Sequence, residues 1–216
     1  MSVAVGVMAR APSAAGKTRL APHLAPARLT ALRKALLADT LGALADVPCV
    51  TVFFTPDDAE PEIAALADPT LRPIAQGGGD LGRRMLRALQ FLLSVTPDGA
   101  ILVGSDIPLL TADHVLEAAD TLRASGGVVL GPADDGGYYL IGMTRAHAGL
   151  FESVAWGTES VLTDTLRAAA RIGVEARLIR SAYDVDTIED LQRVARDLAM
   201  VPGAVCPELR RWLSES

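Results

Sequence analysis

The sequence predicts an α/β fold made of a single domain, with a mainly parallel sheet flanked by helices. Short apolar runs alternate with stretches of helical period along the chain. The runs are continuously apolar, which is typical of strands that are buried on both faces of a parallel sheet. The 216 residues are 50% hydrophobic, which suffices for one sizeable core, and no linker or repeat interrupts them. We therefore expect residues 1–216 to form one domain.

The predicted strands are short and apolar. YYLIGM follows VVLG after a turn of Asp and Gly residues, which is a common signal for a hairpin. The other runs are separated by longer segments of helical period, which favours parallel crossovers. In chain order, the runs are VAVGVM, VTVFF, LRPI (residues 71–74), AILVG, VVLG, YYLIGM and ARLI.

The predicted helices follow the strands. The first covers residues 27–45 because Leu29, Leu32, Leu36, Leu37, Leu41 and Leu44 fall on one face. The last is preceded by Thr187, with Asp190 three residues later, which is the pattern of a capping box. The remaining helices are a short piece after VTVFF and longer ones near residues 81–94, 111–124 and 159–172, before the last one at 188–200.

Composition excludes several classes of function. The net charge of -6 and the pI near 5.1 give no basic surface for nucleic acid. No segment has the roughly 18 apolar residues of a membrane span, and no basic region precedes the first apolar run as in a secretory signal. Cys49 and Cys206 are far apart and the three histidines lack ligand spacing, so neither disulfides nor a zinc site is indicated. We expect a cytoplasmic protein that binds small ligands.

The loop after the first run, ARAPSAAGKTRLAP, contains candidate phosphate-binding cations. Its G-K-T resembles the end of a P-loop, but the first glycine of that motif is replaced by Ala11, and Pro22 prevents a long helix from starting at Lys17. We interpret it as a flexible loop whose Lys17 and Arg19 bind a diphosphate or triphosphate. Lys17 is notable because the chain has only one other lysine. The alternative is that both cations are solvated surface charges.

The loop after the third run, QGGGDLGRRM, has glycines at 77, 79 and 82 that match G-x-G-x-x-G. The match is weak evidence for a dinucleotide site, because it does not follow the first strand and no suitable acid ends the next one. We interpret it as a loop that approaches a ligand closely and opens a helix. Asp80 and the helix N-terminus are then candidates for contacting a nucleotide.

Three further carboxylates follow predicted strands. Asp106 follows AILVG, and Pro108 delays the next helix, so its side chain is expected at the carboxyl edge of the sheet. Asp184 and Asp186 are two residues apart in extended chain and point to one side, which is costly unless a cation lies between them. Mg²⁺ or Mn²⁺ prefers such oxygen ligands. The alternatives are an Asx-turn at Asp106 and helix capping by Asp186 or Thr187, which explains only one of the last two acids.

The turn GPADDGGYYLIG holds two adjacent aspartates and two adjacent glycines. An ordinary hairpin turn explains one Asp-Gly pair, whereas a ligand-facing loop explains the second pair as well. In the second interpretation Gly136 and Gly137 let the backbone approach a ligand. Asp135 then binds hydroxyl groups or acts as a base, and Tyr138 and Tyr139 form the wall of the pocket.

These motifs together resemble a bacterial family of glycosyltransferases with the GT-A fold, which belongs to the nucleotide-diphospho-sugar transferase superfamily. The resemblance covers nearly the whole chain. It implies this fold and a divalent metal, Mg²⁺ or Mn²⁺, as cofactor. The motifs that carry it are, in order, MARAPSAAGKTRL, GGDLGRRM, GSDIPLL, GPADDGGYYLIG and DVDT.

A second resemblance involves the segment GKTRLAPHLAPARLTALRKALLADTLGAL, which looks like the opening of the 2-phospholactate and phosphoenolpyruvate guanylyltransferases. It implies that Lys17 and Arg19 contact nucleotide phosphates, that Asp106 holds the metal, and that Asp184 and Asp186 complete a metal or acceptor site. The expected nucleotide-binding set is Ala9, Arg10, Lys17, Arg19, Gly79, Asp80, Ser105 and Asp106. The expected acceptor or sugar set is Asp134, Asp135, Gly136, Gly137 and Tyr138.

The function expected from the sequence is metal-dependent transfer of a glycosyl group from a nucleotide sugar to a small acceptor, with catalysis by Lys17, Arg19, Asp106 and Asp135. The first alternative is nucleotidyl transfer from a nucleoside triphosphate to a phosphorylated small molecule, and the second is a non-catalytic nucleotide-binding module. The sequence leaves open the base, the sugar, the acceptor, the stereochemical outcome and the oligomeric state.

Overall fold

The computed structural model describes residues 3–69, 71 and 73–215, and within these ranges seven strands form one sheet. The predicted third run includes Arg72, which lies outside the described residues, and only Ile74 and Ala75 of that region form a strand. The strands are β1 (Ala4–Arg10), β2 (Val50–Thr55), β3 (Ile74–Ala75), β4 (Ala100–Gly104), β5 (Val128–Pro132), β6 (Tyr138–Met143) and β7 (Ala176–Leu178).

The strand order is β3-β2-β1-β4-β6-β5-β7. Neighbouring strands are parallel except at β6, which runs antiparallel to both β4 and β5. The mainly parallel α/β sheet predicted from the sequence is confirmed. Because β6 is reversed, its first residue, Tyr138, lies at the same edge of the sheet as the carboxyl ends of its parallel neighbours.

Seven α-helices accompany the sheet in the described ranges, together with a 3-10 helix at Ala148–Phe151. Asp80 caps the third helix by accepting a hydrogen bond from the Arg83 amide, and Thr187 and Asp190 form the predicted capping box of the sixth. The helices are α1 (Pro26–Ala43), α2 (Glu60–Ala64), α3 (Leu81–Val95), α4 (Ala112–Ser125), α5 (Val161–Arg171), α6 (Ile188–Ala199) and α7 (Pro207–Ser214).

The core consists of a layer on each face of the sheet and a third cluster beside α1. On one face Leu37 and Leu41 of α1 pack with Val115 of α4, and on the other Leu89 of α3 packs with Ala169 of α5. The third cluster buries the other side of α1 against α6 and α7. The leucines of α1 are thus divided between two clusters. In the described ranges, no helix is both long enough and apolar enough to cross a membrane.

The structure adds two features to the sequence prediction. Helix α7, which periodicity did not reveal, begins at Pro207 and covers α1, where the indole nitrogen of Trp212 donates a hydrogen bond to the Arg28 carbonyl at 3.1 Å. Helix α5 begins at Val161 rather than at residue 159, because residues 157–160 form turns beside the sheet edge. Helix α7 contributes to the third cluster, and the turns at residues 157–160 contribute to the site described below.

We predict that Trp212→Ala lowers the free energy of unfolding by about 3 to 5 kcal/mol, because the indole is only 6% exposed and its removal leaves a cavity against α1. Chemical denaturation measures this change. Met200→Ala is the control, since Met200 is 87% exposed and its truncation should change the free energy by less than about 0.5 kcal/mol. Equal losses in the two variants would show that α7 does not stabilise the fold.

Candidate functional site

The centre of the site is an ammonium group held between two carboxylates. Nζ of Lys17 lies 3.0 Å from Oδ2 of Asp106 and 2.9 Å from Oδ1 of Asp186. The Lys17 side chain is only 7% exposed, whereas the two carboxylates are 43% and 38% exposed. The cation that separates these acids is therefore a side chain of the protein itself, and the carboxylates keep a face toward solvent.

Backbone hydrogen bonds bring the three acids of this edge together. Asp106 follows β4 directly, and its carbonyl accepts a hydrogen bond from the Val185 amide at 3.2 Å. The amide of Ala182 donates to the Pro132 carbonyl at 3.0 Å, so the segment before Asp184 runs beside the end of β5. Asp184 and Asp186 are the chain neighbours of Val185, whose amide is hydrogen-bonded to Asp106. This proximity is expected for carboxylates at the carboxyl edge of parallel strands.

The pKa values report a strongly charged environment. Burial lowers the pKa of Lys17, but Asp106 and Asp186 outweigh it and hold that pKa above its ordinary value. Burial raises the pKa of Asp106, but Lys17 outweighs it and holds that pKa below its ordinary value. For Asp184, burial and then the carboxylates of Asp186, Asp106 and Asp135 raise the pKa to about 7. Such shifts in a cleft are typical of functional sites.

The carboxylates open into a cleft of about 660 Å³ at the carboxyl ends of the strands. Arg19 lies on the wall formed by the loop after β1, and Asp135 and Glu159 lie among the residues of the β5–β6 turn and of the 157–160 turn. The cleft is large enough for part of a nucleotide and a small acceptor. The other residues that line it are Leu81, Met85, Gly104, Asp106, Ile107, Ala133, Gly137, Tyr138, Tyr139, Trp156, Gly157, Thr158, Val161, Asp184 and Asp186.

The two adjacent aspartates of the β5–β6 turn have different environments. Asp135 lines the cleft and accepts a hydrogen bond from the Gly137 amide at 2.8 Å. Asp134 forms an ion pair with Arg193 of α6 at 2.6 Å and is absent from the cleft lining. The structure therefore places only Asp135 of the two at the cleft, and the predicted contact of Asp134 with an acceptor stays a prediction.

The other residues of the predicted acceptor set have partly structural roles. Gly136 has φ +86, and a β-carbon there would lie 2.2 Å from the Glu159 carbonyl oxygen, so the glycine is required by close packing. Gly137 lines the cleft. Tyr138 also lines it, but its hydroxyl oxygen is buried without a hydrogen-bond partner among the described residues, and burial raises its pKa. The ring of Tyr138, rather than its buried hydroxyl group, is the part that a ligand in the cleft could contact.

The predicted nucleotide set is only partly gathered at the cleft. The Ala9 carbonyl accepts a hydrogen bond from Gln76 at 3.1 Å, and Arg10 donates to the Ala15 carbonyl at 2.7 Å. Gly79 has φ +104, and Asp80 is occupied as the cap of α3. The Ser105 carbonyl accepts a hydrogen bond from Thr40 at 3.4 Å. Of this set, Arg19 and Asp106 line the cleft, and Lys17 is connected to it through its ion pairs with Asp106 and Asp186.

Sequence reasoning missed Trp156 and Glu159, which line the cleft from the turns before α5. Trp156 stacks with Phe151 at a centroid distance of 6.3 Å, and a β-carbon on Gly82 would lie 2.6 Å from the indole. Because Gly82 has no side chain, the indole of Trp156 can pack directly against the start of α3. The available signal was the third glycine of QGGGDLG, which indicates a close approach but does not identify the approaching side chain.

The donors at this edge are suited to a divalent metal. Among the described residues, no group of three His, Cys, Asp or Glu side chains is arranged to hold a metal ion, so the shared site of Asp106, Asp184 and Asp186 stays a prediction. One or two carboxylates with phosphate oxygens and water suffice for Mg²⁺. The pKa of Asp184 is raised by burial and then by the carboxylates of Asp186, Asp106 and Asp135, and a divalent cation at this edge would offset the repulsion among them.

Comparison with known proteins identifies the family of the chain. Residues 32–158 match the family described as "Uncharacterized protein conserved in bacteria (DUF2064)", which is more than half of the chain. The chain belongs to this family. The DUF2064 chain is also 32% identical over 206 residues to the phosphoenolpyruvate guanylyltransferase of Roseiflexus castenholzii, covering 87% of this chain and 91% of the relative.

Other proteins similar to this DUF2064 chain are also transferases. It is 32% identical over 182 residues to the 2-phospho-L-lactate guanylyltransferase of Methanothermobacter thermautotrophicus, covering 82% of this chain and 78% of the relative. It superposes with a TM-score of 0.87 on a structure from Desulfovibrio desulfuricans that is provisionally assigned as a nucleotide-diphospho-sugar transferase. The identity to that protein is 28%, over 96% of this chain and 94% of the other. The fold predicted from the motifs is thereby confirmed.

We predict that Gly136→Ala lowers the free energy of unfolding by about 1 to 3 kcal/mol, since the residue has a positive φ and a β-carbon would collide with the Glu159 backbone. Thermal or chemical denaturation measures the loss. Gly203→Ala is the matched control, because a β-carbon at Gly203 meets no atom within 4 Å. If both variants were as stable as the unchanged protein, the tight packing of the turn on residue 159 would be refuted.

Proposed function

We propose that this protein is a metal-dependent nucleotidyltransferase, which transfers a nucleoside monophosphate from a nucleoside triphosphate to a phosphorylated small molecule. The observation that carries the proposal is the position of Lys17, whose ammonium group lies between Asp106 and Asp186 at the cleft, with Arg19 on its wall. The guanylyltransferase relatives, which align over most of their length, support the choice of nucleotidyl over glycosyl transfer.

In the proposed reaction, a phosphate oxygen of the acceptor attacks the α-phosphorus of the triphosphate. The bond between the α-phosphorus and the oxygen that bridges to the β-phosphorus breaks, and pyrophosphate leaves with the bonding electrons. Negative charge develops on the leaving group, so cations close to it lower the barrier. Lys17 and Arg19 are the cations of the described site that can supply this stabilisation.

The carboxylates orient the cation and receive the metal. Asp106 and Asp186 hold the Lys17 ammonium group by two hydrogen bonds, which fixes its direction before a substrate arrives. Asp106, with Asp184 or Asp186, would hold Mg²⁺ or Mn²⁺ together with phosphate oxygens. When bound, the metal supplies positive charge to the phosphate groups of the triphosphate.

A second candidate is glycosyl transfer from a nucleotide sugar, and the acidity of the cleft favours it. Asp135, Glu159 and Asp184 line the cleft in addition to Asp106 and Asp186. Carboxylates accept hydrogen bonds from sugar hydroxyls, whereas they repel an acceptor that carries phosphate. In this reaction the acceptor attacks the anomeric carbon, the glycosidic bond to the phosphate oxygen breaks, and a nucleoside diphosphate leaves.

We predict that the purified protein with Mg²⁺ or Mn²⁺ releases pyrophosphate from a nucleoside triphosphate, GTP being tested first, when phosphoenolpyruvate or 2-phospholactate is present. Asp106→Asn should reduce kcat/KM by about 100-fold, because the variant loses the negative charge that attracts the Lys17 ammonium group and that would bind a metal. Asp134→Asn is the control on the same sheet edge, since this surface residue is paired with Arg193 outside the cleft. Chromatography of the nucleotide products measures both activities.

The same assay with a panel of nucleotide sugars separates the two candidates. Pyrophosphate without nucleoside diphosphate supports nucleotidyl transfer. Nucleoside diphosphate released from a nucleotide sugar, with no pyrophosphate from any triphosphate, would replace the proposal by glycosyl transfer. Activity that is unchanged in Asp106→Asn would remove this cleft from either reaction.

A further inference from the structure

The loop that presents Lys17 has a backbone that must be held in place. Lys17 has φ +49, in the left-handed region that residues with a β-carbon rarely adopt. Such a conformation persists when the surrounding structure over-determines it, and it occurs often at functional sites. The carbonyl of Lys17 also accepts hydrogen bonds from the amides of Leu20 and Ala21, which closes a turn directly after it. The contacts that fix the preceding residues therefore decide where the ammonium group points.

Arg33 of α1 makes two of these contacts. Its guanidinium group donates from Nη2 to the Ala11 carbonyl at 2.8 Å and from Nη1 to the Ala14 carbonyl. The planar fork of an arginine suits two acceptors at once, which a lysine cannot match. One helical residue thus joins both ends of the turn at residues 11–14, three residues before Lys17.

Two other side chains hold the same loop. Arg10 donates to the Ala15 carbonyl at 2.7 Å, and Glu62 of α2 accepts hydrogen bonds from the amide of Ser13 at 2.9 Å and from its hydroxyl at 2.5 Å. A β-carbon on Gly16 would lie 3.4 Å from the Arg10 side chain and 3.5 Å from Arg33 Nη2. The glycine thus fits between the two arginines. The loop that the sequence suggested to be flexible is fixed from three directions.

The placement of Arg33 is electrostatically costly. Burial, and then the neighbouring guanidinium group of Arg10, lower the pKa of Arg33, and Glu62 and Asp106 oppose this only in part. No ion pair of Arg33 occurs among the described residues, so its charge is satisfied mainly by carbonyl oxygens. If the residue at position 33 only stabilised α1, an uncharged side chain or one that faces solvent would be sufficient there.

We propose that Arg33 is a positioning residue of the transfer site, which acts through Lys17 by fixing residues 11–16 and thereby the strained backbone of the lysine. The catalytic consequence rests on the proposed function, whereas the effect on the loop does not. Misplacement of a catalytic group by about 1 Å costs roughly 100-fold in rate, so the effect is measurable even though Arg33 itself touches no substrate.

The test uses Arg33→Gln, Arg33→Lys and the matched control Lys34→Gln. Lys34 is an exposed neighbour on α1, so its variant removes the same charge from the same helix without a contact to the loop. Hydrogen exchange of the full-length protein first measures the loop. The amides of Ala14, Leu20 and Ala21 should exchange about tenfold faster in Arg33→Gln, by an intermediate factor in Arg33→Lys, and at the original rate in Lys34→Gln.

A double-mutant cycle with Lys17→Ala then tests whether Arg33 acts through the lysine. In the otherwise unchanged protein, Arg33→Gln should reduce kcat/KM for the triphosphate about 100-fold, mainly through kcat. In the Lys17→Ala background the same substitution should cost less than about threefold, because the group that it positions is absent. The melting temperature of each variant is measured alongside, so that loss of fold is recognised.

The outcomes separate the two proposals. If the unchanged protein binds GTP with Mg²⁺ but transfers nothing, the proposed function fails, and the cycle is repeated on GTP affinity by calorimetry. Loop exchange in Arg33→Gln that equals that of Lys34→Gln would overturn the positioning role whatever the reaction. Equal losses from Arg33→Gln in the presence and absence of the Lys17 side chain would overturn it as well.

Discussion

The ammonium group of Lys17, shared between Asp106 and Asp186, is the interaction on which the site depends. Two carboxylates from separate segments, one after β4 and one before α6, repel each other unless a cation lies between them. Lys17 supplies that cation from a third segment, the loop after β1. The interaction therefore joins three loops at one edge of the sheet, and it leaves both carboxylates partly open to solvent.

The charges around this centre are divided between two walls. Cationic groups lie on the side of the β1 loop, where Arg19 faces the cleft and Arg10 and Arg33 hold the backbone. The β5–β6 turn and the turns before α5 contribute Asp135 and Glu159, while Asp184 follows β7. Such a division suits the phosphates of a nucleotide on the cationic wall, whereas the acidic wall suits hydroxyl groups directly and a phosphorylated acceptor only with a bound metal cation that balances the charge. It also explains why both transfer reactions draw on the same residues.

The sequence predicted the fold and the central residues because both follow from local rules. Continuously apolar runs indicate buried parallel strands, and Asp106 and Lys17 lie in the loops that follow two such runs, β4 and β1. The different orientations of Asp134 and Asp135 could not be predicted, since they depend on the path of one turn against α6. Trp156 and Arg33 were missed because their contacts join segments far apart in the chain, and α7 was missed because eight residues carry little periodicity.

A crystal structure with a non-hydrolysable GTP analogue and Mn²⁺ tests the central claim most directly, since the anomalous signal of manganese locates the metal independently of the nucleotide. The account predicts phosphate oxygens at about 3 Å from Lys17 Nζ or the Arg19 guanidinium group, and the metal on a carboxylate oxygen of Asp106. A nucleotide bound elsewhere, with the ion pairs of Lys17 unchanged and Asp106 free of metal, would contradict it.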